Sequence, residues 1–210
     1  MAKQIKAVLF DMDGVLIDAR EWHYEALNRA LGIFGFSISR YEHLVTYDGL
    51  PTRRKLEMLS RERGLPSGLH QILNELKQQY TTQLIELHCR PTFAHQYALS
   101  SLSRSGLRLA LCSNSIRATV ERMLQKAAIK SYFDCVLSNQ DVSAAKPSPE
   151  IFLTAAQRLG VDPAQCLVIE DNQNGIAAAR SAGCHCLTVS DPSDVTFDNI
   201  TRALAHSGVN

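Results

Sequence analysis

Long apolar runs are missing from this chain, and that absence excludes the most. No segment approaches the roughly 18 consecutive apolar residues of a membrane span, so no membrane partner is expected. Lys3 and Lys6 precede only Ala7-Val8-Leu9-Phe10 before Asp11 interrupts the run. That is too short for the apolar centre of a secretory signal, and none is expected. An excess of one charge is missing too. Lys and Arg number 22 against 21 Asp and Glu, a formal net charge of +1, which gives no general attraction to nucleic acid or to an anionic surface. No two of the six cysteines form a Cys-x-x-Cys pair. Cys184-His185-Cys186 suggests metal, but side chains alternate along a strand. His185 then points away from both cysteines, and a zinc site is disfavoured. Most of the cysteines lie in or beside apolar runs, where buried free thiols are common. The expected setting is the reducing cytoplasm. Internal repeats, low-complexity segments and any signal for oligomeric state are also lacking.

The chain does have 45% hydrophobic residues, enough for a sizeable core. Its organising stretch is Phe10-Asp11-Met12-Asp13-Gly14-Val15-Leu16-Ile17-Asp18. The run before it, Ile5 to Phe10, is short and rich in strand formers, which favours a buried strand. Ending that strand at Asp11 sets two carboxylates on the C-terminal edge, where open α/β sheets place their chemistry. Bare carboxylates are costly to bury unless paired or bound to metal, so Asp11 and Asp13 together require a cation. A polar turn bent at Gly14 is the plainer alternative. A calcium loop is disfavoured, because Val15, Leu16 and Ile17 fill positions that need oxygen ligands.

Beyond Asp18 the pattern is helical. Trp22, Ala26, Leu27, Ala30, Leu31 and Phe34 recur at helical spacing, with Gly35 as a stop. Thr52 is a candidate N-cap after the Gly49-Leu50-Pro51 break and leads into Leu56 and Leu59. A longer helix carries Ile72, Leu73, Leu76, Tyr80, Leu84 and Ile85. From Arg90-Pro91-Thr92 onward strands and helices alternate. Thr92 is read as the cap of a helix carrying Phe93, Tyr97 and Leu102. Strands are expected over 107–112, 135–137, 166–169 and 186–189. Ser148-Pro149 starts one helix, with serine as cap and proline at the first helical position. A small-residue helix runs from Gly175 to Ala182, and a weak one lies around 200–205. This rhythm predicts a Rossmann-like α/β core, a parallel sheet with helices on both faces, over 1–17 and 91–210. An all-helical unit over 18–90 interrupts it.

Further polar groups fall at the ends of later strands. Ser113 and Asn114 follow the second strand, where a hydroxyl and adjacent backbone N–H groups hold phosphate oxygens, or simply cap a helix. Glu170-Asp171 ends another strand and brings acidic oxygens to the same edge, or begins a helix whose dipole it favours. Lys146-Pro147 lies in a loop between them.

Taken in order, Asp11-Met12-Asp13-Gly14-Val15, Ser113-Asn114, Lys146-Pro147 and Glu170-Asp171 resemble the four motifs of the haloacid-dehalogenase-like superfamily. The nearest likeness is to its beta-phosphoglucomutase-like phosphatase subgroup. The resemblance implies that Asp11 is a nucleophile forming an aspartyl-phosphate and Asp13 the general acid/base. It implies that Lys146 offsets negative charge, and that Ser113 and Asn114 bind phosphate. It also implies Mg2+ on Asp11, the backbone carbonyl of Asp13, Glu170 and Asp171. Residues 18–90 would be the inserted helical cap of that family. His23 stands where the mutase-like subgroup has a histidine supporting the acid/base, and is equally at home as a surface helix residue. Arg53, with Arg54 and Lys77, is a cap candidate for substrate contact, or an ordinary solvated charge. Two positions depart from the subgroup. Ala19 stands where mutases commonly carry threonine or serine, which weighs against a mutase, and Asn172 stands where serine often follows the acidic pair. The expectation is a magnesium-dependent phosphatase of a small phosphorylated metabolite, a sugar or polyol phosphate. A sugar phosphomutase is the alternative, and a non-catalytic metabolite-binding protein the more distant one.

Overall fold

A computed structural model of the chain describes residues 4–207. The chain divides into two compact units. One comprises the chain up to Asp18 and from Arg90 onward, the other Ala19–Cys89; the sequence pattern puts these junctions at 17/18 and 90/91.

The first unit is built on five strands, β1 (Ala7–Phe10), β2 (Arg108–Cys112), β3 (Cys135–Leu137), β4 (Cys166–Glu170) and β5 (His185–Thr188), all parallel in the order β3-β2-β1-β4-β5. The helices between and after them are α5 (Phe93–Arg104), α6 (Arg117–Lys126), α7 (Glu150–Leu159), α8 (Gln173–Ser181) and, beyond β5, α9 (Phe197–Ser207). β1 is the middle strand and every residue in it is buried. That explains its unbroken Ala-Val-Leu-Phe, since a strand covered on both faces has no polar side. One set of alternate residues, Ala7, Leu9, Ala110, Cys112, Leu137, Cys166 and Val168, packs against Ile151, Phe152 and Ala155 of α7 and Ala178 and Ala179 of α8. The intervening Val8, Phe10, Leu109, Leu111, Leu167 and Ile169 are just as buried on the other face. Each such side chain contributes about 1.5–3 kcal/mol through burial.

The second unit holds α1 (Arg20–Gly32), a short α2 (Arg40–Glu42) running into a π-helical turn over His43–Tyr47, α3 (Thr52–Arg63) and α4 (His70–His88). α1 packs along α4. Leu27, Ala30, Leu31, Tyr47, Leu56, Leu59 and Leu73 form its core. Asn28 clasps both backbone groups of Ile38, at 3.0 and 2.9 Å, and Ser39 with Glu42 forms a capping box before α2.

Several local expectations shift. α3 begins at Thr52 itself, with Pro51 in the cap position. α7 begins at Glu150 with Pro149 as cap, and the Ser148 hydroxyl accepts only a long 3.4 Å bond from the Glu150 N–H. Thr92 occupies the cap position of α5 without a side-chain cap bond. Phe93 and Tyr97 on α5 are 81% and 53% exposed. They stack on each other, and Tyr97 meets Phe197 edge-on. None of the described helices is long and apolar enough to cross a membrane.

Candidate active site

The site is built where the central strands end. The backbone N–H of Asp11 donates to Ile169 O at 3.0 Å and so continues the β1–β4 pairing by one more residue. Asp11 therefore meets Glu170 and Asp171 at the end of the neighbouring strand. After it the chain closes on itself: Leu16 and Ile17 N–H both donate to Met12 O at 3.0 Å, and Gly14 N–H to Ile17 O at 2.8 Å. Met12, Val15, Leu16 and Ile17 are buried, so this loop is anchored from beneath. Gly14 has φ +89°, and a Cβ there would lie 2.1 Å from Asp171 Oδ2. Backbone conformation and close approach both demand glycine.

Lys146 reaches into this acidic cluster from the loop after β3. Its ammonium donates to Asp11 Oδ1 at 2.6 Å and to Glu170 Oε1 at 2.5 Å, and its side chain is 3% exposed. Burial by itself would lower the lysine's pKa. Asp11 and Glu170 outweigh that and hold it above its ordinary range. Glu170 places its other oxygen, Oε2, on the N–H groups of Asp171 (3.1 Å) and Asn172 (3.2 Å). Asp11 is pushed well up from the usual carboxylate range. Burial is the main cause, Lys146 opposes it, and Glu170, Asp13 and Asp171 add to it. Among the described residues, one group of acidic side chains is close enough to hold a metal ion. Asp11, Glu170 and Asp171 each offer an oxygen, all within 4.8 Å of one another.

The loop after β2 supplies hydroxyl and amide groups. Ser113 is fully buried, and its Oγ accepts the Ser115 N–H at 3.0 Å. It is not the cap of α6, a position held by Ile116. Asn114 brackets the backbone of Lys146: Lys146 N–H donates to Asn114 Oδ1 at 3.0 Å, and Asn114 Nδ2 donates to Lys146 O at 3.4 Å. The asparagine thus fixes the loop that carries the lysine. Ser115, which sequence reasoning passed over, donates its hydroxyl to Asp13 Oδ2 at 2.9 Å. Its only signal was its place beside Ser113-Asn114. Gly175 was read merely as part of a small-residue helix, yet a Cβ there would lie 1.8 Å from Glu170 Oε1. Asn172, unexplained from sequence, caps α8 by accepting the Asn174 N–H at 2.9 Å. The acidic pair therefore precedes the helix rather than beginning it.

The structure thus gathers Asp11, Asp13, Ser113, Asn114, Lys146, Glu170 and Asp171 in the α/β unit. His23 and Arg53 belong to the helical unit. The His23 Nδ1 lies 3.2 Å from the Lys77 ammonium, itself 7% exposed. Arg53 has an 89% exposed side chain paired with Glu57 at 3.0 Å, one turn on along α3.

The model of the haloacid dehalogenase-like hydrolases matches residues 8–189. The chain is 30% identical over 189 residues to the fructose-1-phosphate phosphatase YqaB of Escherichia coli, covering 90% of this chain and 98% of that one. It is 29% identical over 179 residues to a phosphorylated carbohydrates phosphatase of Thermotoga maritima, covering 85% and 82% respectively. Among solved structures, beta-phosphoglucomutase from Clostridium difficile superposes with a TM-score of 0.84 at 24% identity, over 99% of this chain and 100% of that one, a likeness of fold. The match runs from the first core strand to the last and takes in every residue of the acidic cluster. The chain belongs to the haloacid dehalogenase-like hydrolase family.

Proposed function

We propose that the protein is a magnesium-dependent phosphatase acting on a small phosphorylated metabolite, a sugar or polyol phosphate. The observation that carries this reading is a buried carboxylate, Asp11, held at the end of the central strand by a buried lysine and flanked by Glu170 and Asp171. The names of the relatives at 30% and 29% identity support the substrate class.

The donor set fits a hard cation. It is all oxygen and lies within 4.8 Å, and the bare backbones of Gly14 and Gly175 leave room for Asp171 and Glu170. The upward push on Asp11 points the same way, because an attacking carboxylate must be ionised, and burial, helped by the acidic neighbours, outweighs Lys146. Asp11, Glu170 and Asp171 would hold magnesium, with Asp13 contributing its backbone carbonyl. When bound, the ion reduces the repulsion between carboxylate and phosphate.

In the reaction, an Asp11 oxygen bonds to phosphorus as the bond to the leaving oxygen breaks. The Asp13 carboxyl gives that oxygen its proton, so the alcohol leaves neutral. The Asp13 carboxylate then takes a proton from the water that attacks the phosphorus of the aspartyl-phosphate. Orthophosphate leaves and Asp11 is restored. Ser113 and Lys146 hold phosphate oxygens throughout. The six free cysteines fit a reducing compartment.

The test is a panel of sugar and polyol phosphates with magnesium, following free phosphate and isomerised sugar phosphate together. Phosphate release that outpaces isomerisation is expected, with Asp11→Asn lowering it by about a thousandfold. Isomerisation outpacing release would replace the phosphatase by a mutase. Full activity in Asp11→Asn would overturn the covalent mechanism.

A further inference from the structure

Ser115 is held by its backbone on both sides. Its N–H donates to Ser113 Oγ at 3.0 Å, and its carbonyl accepts the Asn139 N–H at 3.1 Å. Its hydroxyl is therefore delivered from a fixed point to Asp13 Oδ2, 2.9 Å away and 102 residues earlier in the chain. Asp13 has a different problem. Its backbone is pinned by the hydrogen-bonded Met12–Ile17 loop, but that does not set the two side-chain torsions that aim the carboxylate. A proton-transfer group loses effectiveness steeply when it leaves hydrogen-bond reach of its target.

We propose that Ser115 is a positioning residue for Asp13, fixing through its hydroxyl the orientation from which Asp13 protonates the leaving oxygen. This rests on the phosphatase reading above. A hydroxyl can donate both to the carbonyl oxygen of a neutral carboxyl and, more strongly, to an oxygen of a carboxylate. The Ser115 bond to Oδ2 therefore survives proton transfer, and the transferred proton is assigned to Oδ1. The same residue also holds the Ser113 hydroxyl through its N–H. One serine thus orients a candidate phosphate ligand with its backbone and the proton donor with its side chain.

That division makes the test specific, because Ser115→Ala deletes the hydroxyl and keeps the N–H to Ser113. Two substrates are compared: the best sugar phosphate from the release panel, whose alkoxide must be protonated to leave, and p-nitrophenyl phosphate, whose phenolate leaves without help. In Ser115→Ala, kcat/KM on the sugar phosphate is expected to fall about tenfold, and on the aryl ester by no more than about twofold. Inhibition by inorganic phosphate should be unchanged, and Ser115→Thr should restore the sugar-phosphate rate. Equal losses on both substrates, weakened phosphate inhibition, no loss at all, or no rescue by threonine would each overturn the proposal while leaving the phosphatase intact. If the unmodified protein releases phosphate from neither substrate, both readings fall.

Discussion

Replacing Lys146 by methionine tests the energetic logic of the site independently of turnover. Methionine keeps most of the aliphatic length but removes the ammonium that sits 2.6 Å from Asp11 and 2.5 Å from Glu170. The side chains of the three residues are 3%, 11% and 1% exposed, so water cannot replace the lost partner. Breaking a buried pair by removing one member costs about 3–5 kcal/mol, and that is the expected loss at pH 7.5 in the presence of chelator. The stranded carboxylates have one relief, which is to bind protons. Asp11 is already pushed up by burial, and losing Lys146 removes the one opposing influence. A carboxylate whose folded pKa lies above its unfolded one destabilises fully above the folded value, and the penalty disappears as pH falls toward the unfolded value. Each pH unit over which the folded variant holds one more proton than the folded parent narrows the gap by about 1.4 kcal/mol. The gap between variant and parent should therefore shrink by about 1–3 kcal/mol from pH 7.5 to pH 5.5. Urea denaturation followed by circular dichroism at both pH values measures it. A penalty under about 1 kcal/mol at pH 7.5, or one that stays constant toward pH 5.5, would refute the account of Lys146 as the counter-charge of a buried acidic cluster.

Other expectations follow from the same geometry. Gly175→Ala should leave the fold intact but force Glu170 from its place, since the new Cβ would fall 1.8 Å from Oε1; phosphate-release assays should show at least about a tenfold loss, with a higher magnesium requirement. Chelation should abolish activity reversibly, with magnesium restoring it and calcium, looser in its coordination, failing to; activity that persists in excess chelator would contradict the assigned ion. His43 is fully buried in the helical unit, and its pKa is lowered to about 4 by burial, then by Lys55 and His23, with Asp48 and Glu21 opposing. The unfolded histidine binds a proton near 6.5 while the folded one does not until about 4. Stability should therefore be full above pH 6.5 and fall by roughly 2–3 kcal/mol on the way to pH 4.5. His43→Leu should flatten that slope in urea midpoints taken at pH 7 and 4.5.

The strands were legible because β1, β2 and β4 are buried on both faces and so read as unbroken apolar runs. Their ends were legible because Asp11, Ser113 and Glu170-Asp171 interrupt those runs abruptly. The π-helical turn over His43–Tyr47 was not, since only His43 and Tyr47 of its five residues are buried and no helical period shows. Phe93 and Tyr97 lie on the helix that their spacing indicates, but the spacing does not tell that they face outward, where they pack on each other and on Phe197.

Within the site, spacing along the chain could name the residue types but not their connections. Asn114 stood beside Ser113 in a short polar motif and was read with it as a phosphate ligand. In the fold its amide clasps the Lys146 backbone 32 residues later, so it places a cation. Gly175 looked like helix packing until the Glu170 carboxylate was found against it. Such links are decided by which strand lies beside which. β1 lies between β2 and β4, so the ends of three strands far apart in sequence open onto one edge. A motif reading can only assume that convergence. Once the strand order is known, it follows that the Asp11 loop is flanked on one side by the acidic pair and on the other by the Ser113–Ser115 loop. A carboxylate so flanked meets countercharge, acidic oxygens and hydroxyl donors on segments that the sheet brings to one edge.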